Sequence, residues 1–149
     1  MDDHIPSIPW LDVHSYKLTN AIVSSVAASH PDLMAALVYG SVARHDERPL
    51  DDASPSDVDL LLIFRLPPDA PRIDYERRLA INHSIGRALD YCPDPPREVH
   101  VTLATERFDD WDPTFIENLA REGIVLWQRG SLPGTLANLA SRPLSAIER

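Results

Sequence analysis

The sequence predicts an α/β (α+β) domain in which helices flank a small mixed sheet of three to four strands. Segments whose apolar residues recur at helical spacing alternate along the chain with short apolar runs, which is the pattern of combined helix and strand structure. The prolines cluster between these segments rather than within them. With 149 residues the chain has the length of one domain. A domain of this size buries about 70% of its extended-chain surface, so a sizeable core is available.

A helix and a strand are predicted near the start of the chain. Apolar residues recur at helical spacing from residue 14 or 15 to residue 29, and Pro31 ends this helix. Residues 33–39 are apolar and lead into Gly40, which is typical of a buried strand followed by a sharp turn. Ser41 has the chemistry of a helix N-cap, so this strand is expected to turn directly into a helix.

A loop, a central strand and a long helix follow. Residues 46–56 hold four acidic residues and show no periodicity, which predicts an exposed loop. Residues 58–64 form a nearly continuous apolar run, as a central strand covered on both faces does. A helix is predicted from Arg72, with its apolar face against the sheet and its end at the prolines of residues 93–96. That face consists of Leu79, Ile81, Ile85, Ala88, Leu89 and Cys92.

Two further strands and a short helix complete the predicted domain. Apolar and polar residues alternate from Glu98 to Leu103, as in a half-buried strand. Asp112 and Pro113 are a favourable N-cap and first helical residue, and Gly123 marks the end of that helix. Residues 124–127 are then expected to form a short last strand.

The chain is expected to comprise an arm of residues 1–14, a domain of residues 15–128 and a tail of residues 129–149. The arm shows no periodicity and is predicted to be extended, with Trp10 docked on the domain. The tail has weak helical character around residues 136–140.

The charge balance limits the partners. The formal net charge is −9 and Lys17 is the only lysine, so the chain repels polyanions. It also lacks the basic stripe that neutralises phosphates, so no long nucleic-acid partner is expected. A nucleotide held with a divalent metal remains compatible, because the metal supplies positive charge locally. The acidic N-terminus lacks a signal-peptide pattern, and no apolar run approaches the roughly 18 residues of a membrane span. A soluble, cytoplasmic protein without a membrane partner is therefore expected.

Two aspartates stand where the central strand begins. Asp57 and Asp59 are two residues apart, so in an extended chain their side chains project from the same face, about 6.5 to 7 Å apart at Cα. Carboxylates so placed can bind one or two Mg²⁺ ions, and paired metals can stabilise both the attacking and the leaving oxygen of a phosphoryl transfer. Aspartate is unfavourable inside strands, so the presence of two aspartates at this point requires a functional or structural explanation. The alternative is that both residues lie in an exposed turn before the strand.

The turn at Gly40 and Ser41 offers a complementary chemistry. A glycine lets the backbone approach a phosphate closely, and a serine at a helix start presents its hydroxyl beside backbone N–H groups. Triphosphate oxygens would fit there. Taken singly, this pair is also compatible with an ordinary turn, and Arg44 with a surface charge.

Taken together, these residues resemble the nucleotidyltransferase superfamily that includes DNA polymerase beta, and most closely its minimal, antitoxin-type members. The matching stretches are residues 40–44 (Gly-Ser-Val-Ala-Arg), residues 56–60 (Ser-Asp-Val-Asp-Leu) and, more loosely, residues 122–127. The resemblance covers roughly residues 15–128 and implies the polymerase beta-like nucleotidyltransferase fold. It implies that Gly40 and Ser41 hold the nucleotide phosphates, that Asp57 and Asp59 bind Mg²⁺, and that Arg44 contacts phosphate.

The sequence departs from the family pattern in two places. Fifteen residues separate Ser41 from Asp57, where the family usually has about ten, and an exposed loop absorbs such an insertion at small entropic cost. The family's third carboxylate, on the next strand, is replaced by His100. Imidazole can act as a base near neutral pH, but it binds Mn²⁺ better than Mg²⁺. Glu98 shares the strand face with His100 and is a second candidate for this role.

The resemblance implies transfer of a nucleoside monophosphate, most simply AMP from ATP, to a hydroxyl acceptor on a protein or a small molecule. A toxin-like partner protein is one acceptor class, and a small antibiotic is another. Three outcomes remain open: an enzyme that uses Glu98 or His100, a slow enzyme that prefers Mn²⁺, or an antitoxin-like module that binds nucleotide without turnover. An unrelated α/β domain with coincidental motifs is the remaining alternative.

Overall fold

Helices and strands alternate along the part of the chain that the computed structural model describes, which is residues 8–67, 69, 72–92, 95–107 and 111–130. In chain order the elements are α1 (Val13–Ser29), β1 (Leu33–Tyr39), α2 (Gly40–Arg44), β2 (Val58–Phe64), α3 (Tyr75–Tyr91), β3 (Val99–Thr105), α4 (Pro113–Glu122) and β4 (Ile124–Gln128). This order confirms the predicted α+β class. The helical tendency predicted around residues 136–140 lies outside the described residues.

The four strands form one mixed sheet in the order β3-β2-β1-β4. β1 is antiparallel to β2 and to β4, whereas β2 and β3 are parallel. The end of β1 therefore lies beside the start of β2, with Tyr39 paired to Asp59. The parallel partner brings the start of β3 to the same edge, with Asp59 paired to His100. Residues that are distant in sequence thus meet at one edge of the sheet.

Each face of the sheet packs into its own apolar cluster. On one face, α1 packs against strand residues that include Val38, Leu60 and Leu62. On the other face, Leu119 of α4 packs against residues that include Leu37 and Leu61. All of these side chains are buried, and β2 is covered on both faces as its continuous apolar run predicts.

The predicted face of the third helix is wrong in part. α3 packs mainly against α1, the helix that covers one face of the sheet. A helix in this outer position needs only a narrow apolar stripe, so its buried residues are Ile81, Ser84 and Ala88. Leu79 and Leu89, which were expected on the packed face, are exposed.

Aspartates set the starts of three helices. Asp12 accepts a hydrogen bond from Ser15 N (2.9 Å) and caps α1, so α1 begins slightly earlier than predicted. Asp74 accepts from Arg77 N (2.8 Å), so α3 begins at Tyr75 and not at residue 72. Asp112 caps α4 as predicted. A carboxylate acceptor for the amides of the first turn thus fixes each boundary.

The N-terminal arm docks on the domain through Trp10, as expected. Trp10 Nε1 donates to the carbonyl of Val42 (2.7 Å), and its ring stacks on His45 at 4.4 Å between centroids. Ile8 and Leu11 are buried in the cluster around α1. Within the described ranges, no helix is both long and apolar enough to span a membrane.

Candidate nucleotide and metal site

Gly40 lies directly against the carboxylate of Asp59. Its φ angle is +78°, in the left-handed region that favours glycine. A Cβ atom at this position would collide with Asp59 Oδ2. Backbone conformation and the neighbouring carboxylate therefore both favour glycine at position 40. The predicted turn and one of the predicted metal-binding aspartates lie together.

Asp59 is a partly buried carboxylate, with 31% of its side chain exposed. Burial raises its pKa, the charge of His100 lowers it, the charge of Asp57 raises it and the charge of Arg44 lowers it, and the sum is a pKa above the usual aspartate value. The folded protein thus disfavours the ionised form of Asp59. A bound cation would relieve this penalty, and such perturbed carboxylates are typical of functional sites.

Asp57 lies one residue before β2 and is exposed. The strand begins at Val58 as predicted, so Asp57 lies immediately before it and Asp59 lies within it. The next residue, Val58, donates its N–H to the carbonyl of Glu98 (2.8 Å), and this bond attaches the start of β2 to the chain that enters β3. Asp57 is close enough to Asp59 to raise the pKa of that carboxyl.

His100 faces Asp59 across the parallel strand pair. His100 Nδ1 lies 3.8 Å from Asp59 Oδ1, which is within ion-pair range and beyond a hydrogen bond. The imidazole is well exposed, with 66% of the side chain accessible. The side chain of Glu98 is also exposed, and its backbone carbonyl makes the bond to Val58. Of the two candidates for the third group, His100 is the one found beside Asp59.

Ser41 lies in the first turn of α2 and is not its N-cap, which corrects the prediction. Tyr39 occupies the N-cap position with an extended backbone, because the positive φ of Gly40 lets the chain turn one residue earlier. The Ser41 carbonyl accepts a hydrogen bond from Asp46 N (3.0 Å). Ser41 directly follows Gly40 at this turn.

Arg44 links the end of α2 to two carboxylates. Its Nε lies 3.2 Å from Asp46 Oδ2, and its Nη1 lies 3.3 Å from Glu122 Oε1 at the end of α4. Desolvation acts to lower the pKa of Arg44, but its bonds to Asp46 and Glu122 outweigh this, so the pKa is raised. Arg44 is therefore a fixed positive charge near Asp59.

Arg97 is the neighbour of the site that the sequence reading missed. Only 6% of this residue is exposed, and Nη1 donates to the carbonyls of Arg48 (2.7 Å) and Ser56 (2.9 Å). Ser56 Oγ accepts a hydrogen bond from Arg48 N (2.7 Å). These contacts join the two ends of the loop. Arg97 is two residues before Val99, so in an extended chain both side chains lie on the face that packs against the core. That spacing was the signal in the sequence for a buried Arg97.

The donor atoms suit a hard divalent cation. Among the described residues, no three His, Cys, Asp or Glu side chains are grouped as a complete metal site. Mg²⁺ does not need such a group, because it usually binds one or two carboxylates together with substrate phosphates and water. Asp57 and Asp59 would supply those carboxylates, and the raised pKa of Asp59 marks a carboxyl whose ionised form a cation would stabilise.

Neither a family model nor a curated protein matches the sequence, whereas several solved structures resemble the fold. A candidate nucleotidyltransferase from Sulfolobus solfataricus is 24% identical, with 76% of this chain and 79% of that chain covered and a TM-score of 0.48. A toxin–antitoxin structure with AMP-PNP is 18% identical, with 74% and 73% covered and a TM-score of 0.45. A complex of the tri-AMPylated Shewanella oneidensis HEPN toxin with the MNT antitoxin is 16% identical, with 77% and 73% covered and a TM-score of 0.44. Similarities at this level describe the fold alone.

Substituting Gly40 tests the close approach to Asp59. We expect Gly40→Ala to lower the free energy of unfolding by clearly more than Gly130→Ala. Both glycines have positive φ, but a Cβ at Gly130 would meet nothing within 4 Å. Gly130→Ala should therefore lose only about 1 to 2 kcal/mol of left-handed strain, whereas Gly40→Ala also displaces a carboxylate. Denaturant unfolding of both variants measures the difference, and equal losses would contradict the proposed contact.

Removing the charge of Asp59 should stabilise the protein at neutral pH in the absence of metal. Because the folded-state pKa is raised, ionisation of Asp59 destabilises the fold as pH rises through that pKa. Below the usual aspartate pKa of about 4, the group is protonated in both states and the penalty vanishes. The melting temperature of Asp59→Asn, measured in EDTA, should therefore rise above wild type between low and neutral pH. Asp51→Asn, in the exposed loop, is the control and should show no such trend; a lower melting temperature for Asp59→Asn at pH 7 would refute the assignment.

Proposed function

We propose that this chain is a metal-dependent nucleotidyltransferase that transfers a nucleoside monophosphate, most simply AMP from ATP, to a hydroxyl on a protein or a small molecule. The observation that carries the proposal is the contact between the Gly40 backbone and the Asp59 carboxylate. A turn without a side chain lets phosphate oxygens approach the backbone, and the adjacent carboxylate can hold the cation that accompanies them.

Each residue of the site has a role in this proposal. Gly40 and Ser41 receive the phosphates, while Asp57 and Asp59 hold Mg²⁺ or Mn²⁺. A bound cation of this kind neutralises phosphate charge and increases the acidity of a coordinated hydroxyl. Arg44 keeps its positive charge through Asp46 and Glu122, and a phosphate would join or replace those carboxylates.

The transfer forms one phosphorus–oxygen bond and breaks another. The acceptor hydroxyl oxygen attacks the α-phosphorus, the bond from that phosphorus to the bridging oxygen breaks, and pyrophosphate leaves with the bond electrons. The hydroxyl proton must pass to a base. His100 is the proposed proton acceptor, because its imidazole lies beside Asp59 at the edge of the sheet and is exposed to an incoming hydroxyl.

The acceptor is a hydroxyl on a partner protein, of which a toxin is one class, or on a small molecule. A long nucleic acid is not proposed, since the formal net charge is −9. Asp51 and Asp52, which are exposed in the loop, would favour a cationic acceptor over an anionic one.

The two aspartates provide the direct test. With α-labelled nucleoside triphosphates, Mg²⁺ or Mn²⁺ and candidate acceptors, we expect label transfer and pyrophosphate release by the wild type. Asp57→Asn and Asp59→Asn should each lower the rate at least about 100-fold, because a metal ligand is lost. Asp51→Asn and Asp52→Asn make the same chemical change in the exposed loop and should leave the rate unchanged. The proposal fails if no triphosphate gives product and the aspartate variants bind nucleotide as the wild type does.

A second candidate function is nucleotide binding without turnover, as an antitoxin-like interaction module. The observation that favours it is the imidazole of His100 where a third carboxylate would bind metal. Within the described part of the chain, no third carboxylate completes the pair at Asp59. Without a third metal-binding carboxylate, the protein would still bind nucleotide but would catalyse nucleotidyl transfer more slowly.

Substituting His100 separates the two candidates. We expect the wild type to be more active with Mn²⁺ than with Mg²⁺, and His100→Asp to shift that preference toward Mg²⁺, since carboxylate is the harder ligand. His100→Asn is the matched control, because it also removes the imidazole but supplies no carboxylate, and it should not raise activity with Mg²⁺. Calorimetry that finds nucleotide binding, with no turnover in the wild type or in His100→Asp, would support the binding module instead.

A further inference from the structure

The short segment of residues 8–12 contacts both halves of the candidate site. Its side chains lie partly in the core, since Ile8 and Leu11 are buried beside α1. Trp10 and Asp12 point to two different parts of the site. Trp10 contacts the phosphate turn, and Asp12 contacts the residue that holds the entry to the aspartate strand.

The first contact completes α2. The carbonyl of Val42 accepts hydrogen bonds from Trp10 Nε1 (2.7 Å) and from His45 N (3.1 Å). The Trp10 ring stacks on His45, with centroids 4.4 Å apart and planes 16° apart. A helix of one turn is not stable by itself, because its few internal bonds do not offset the cost of ordering it. Trp10 therefore stabilises the turn that contains Gly40 and Ser41.

The second contact passes through Arg97. Arg97 Nε lies 3.6 Å from Asp12 Oδ1, which is buried and has no hydrogen-bond partner of its own. A buried guanidinium needs compensating acceptors, and removal of one partner is strongly unfavourable. The carbonyls of Arg48 and Ser56 provide the remaining acceptors. Since Ser56 immediately precedes Asp57, Arg97 fixes the point at which the chain enters β2.

We propose that residues 8–12, acting with Arg97, are positioning residues that hold the phosphate turn and the metal-binding aspartates in one relative placement. The expected effect of these residues on catalysis rests on the proposed function, whereas their role in holding the turn and the strand in place does not. Trp10 sets the turn, Asp12 and Arg97 set the strand entry, and the short covalent link from Trp10 to Asp12 joins the two contacts.

Two conservative substitutions isolate these contacts. Trp10→Phe keeps a stacking ring and removes the indole donor. Asp12→Asn keeps an N-cap for α1 and removes the charge beside Arg97. Matched controls lie far from the site: Trp127→Phe removes the indole donor of a tryptophan on β4, and Arg77→Lys alters the ion pair with Asp32 at the opposite edge of the sheet.

Amide hydrogen exchange on the full chain is the primary measurement, because it does not depend on activity. We expect each of the two variants to accelerate exchange at the amides of both His45 and Val58, since the arm joins the two halves. The controls should leave both amides protected as in the wild type. If Trp10→Phe affects His45 alone and Asp12→Asn affects Val58 alone, the two contacts are independent and the proposal is overturned.

Kinetics gives the catalytic arm of the test. We expect Trp10→Phe and Asp12→Asn to lower kcat for nucleotidyl transfer by about 10- to 100-fold, as misplacement of reacting groups does, with smaller changes in KM for the nucleotide. The double variant should lose little more than the worse single variant, because both act on one unit. Full activity in both single variants refutes the positioning role. Coupled exchange without any wild-type turnover retains the positioning role and rejects the proposed reaction.

Discussion

The contact between the Gly40 backbone and the Asp59 side chain is the constraint on which the rest of the site depends. It is imposed by sheet pairing, because the antiparallel register places Tyr39 opposite Asp59 and so brings the following residue to the carboxylate. A shift of β2 by one position would exchange the side chains that pack into the two apolar clusters and would move Asp59 away from Tyr39. Gly40 and Asp59, which are proposed to bind phosphate and metal, are thus brought together by strand pairing.

The electrostatics of the site follow from this placement. Packing at the sheet edge removes part of the hydration of Asp59, which raises its pKa, and the neighbouring charge of Asp57 raises it further. Arg44 and His100 act in the opposite direction but do not cancel the penalty. Ionised Asp59 is therefore locally unfavourable in the folded protein. If a cation binds here as proposed, it would offset this cost.

The sequence indicated the fold, and the continuous apolar run of β2 together with the turn at Gly40 predicted that the end of β1 meets the start of β2. These features were readable because burial on both faces and a glycine at a tight turn each leave a direct mark on composition. Arg97 was missed because its role depends on carbonyl acceptors at Arg48 and Ser56, which any residue type can supply. The exposed Leu79 and Leu89 were misread for a related reason, since periodicity shows that a helix has an apolar stripe but not which element covers it. The role of Trp10 was only partly visible, because the acceptor it needs is a backbone carbonyl.

The two ends of the acidic loop of residues 46–56 are held together, and this limits the effect that changes within the loop have on the rest of the domain. Arg48 N donates to Ser56 Oγ, and Arg97 binds the carbonyls of Arg48 and Ser56, so the chain leaves and re-enters the domain at nearly the same place. The residues between them contribute little to the packing of the domain, and residues 49–54 are exposed. Changes in the length of this segment are therefore expected to leave the positions of Asp57 and Asp59 unchanged. Substitutions and insertions can therefore accumulate in this exposed loop without moving the aspartates that are proposed to bind metal.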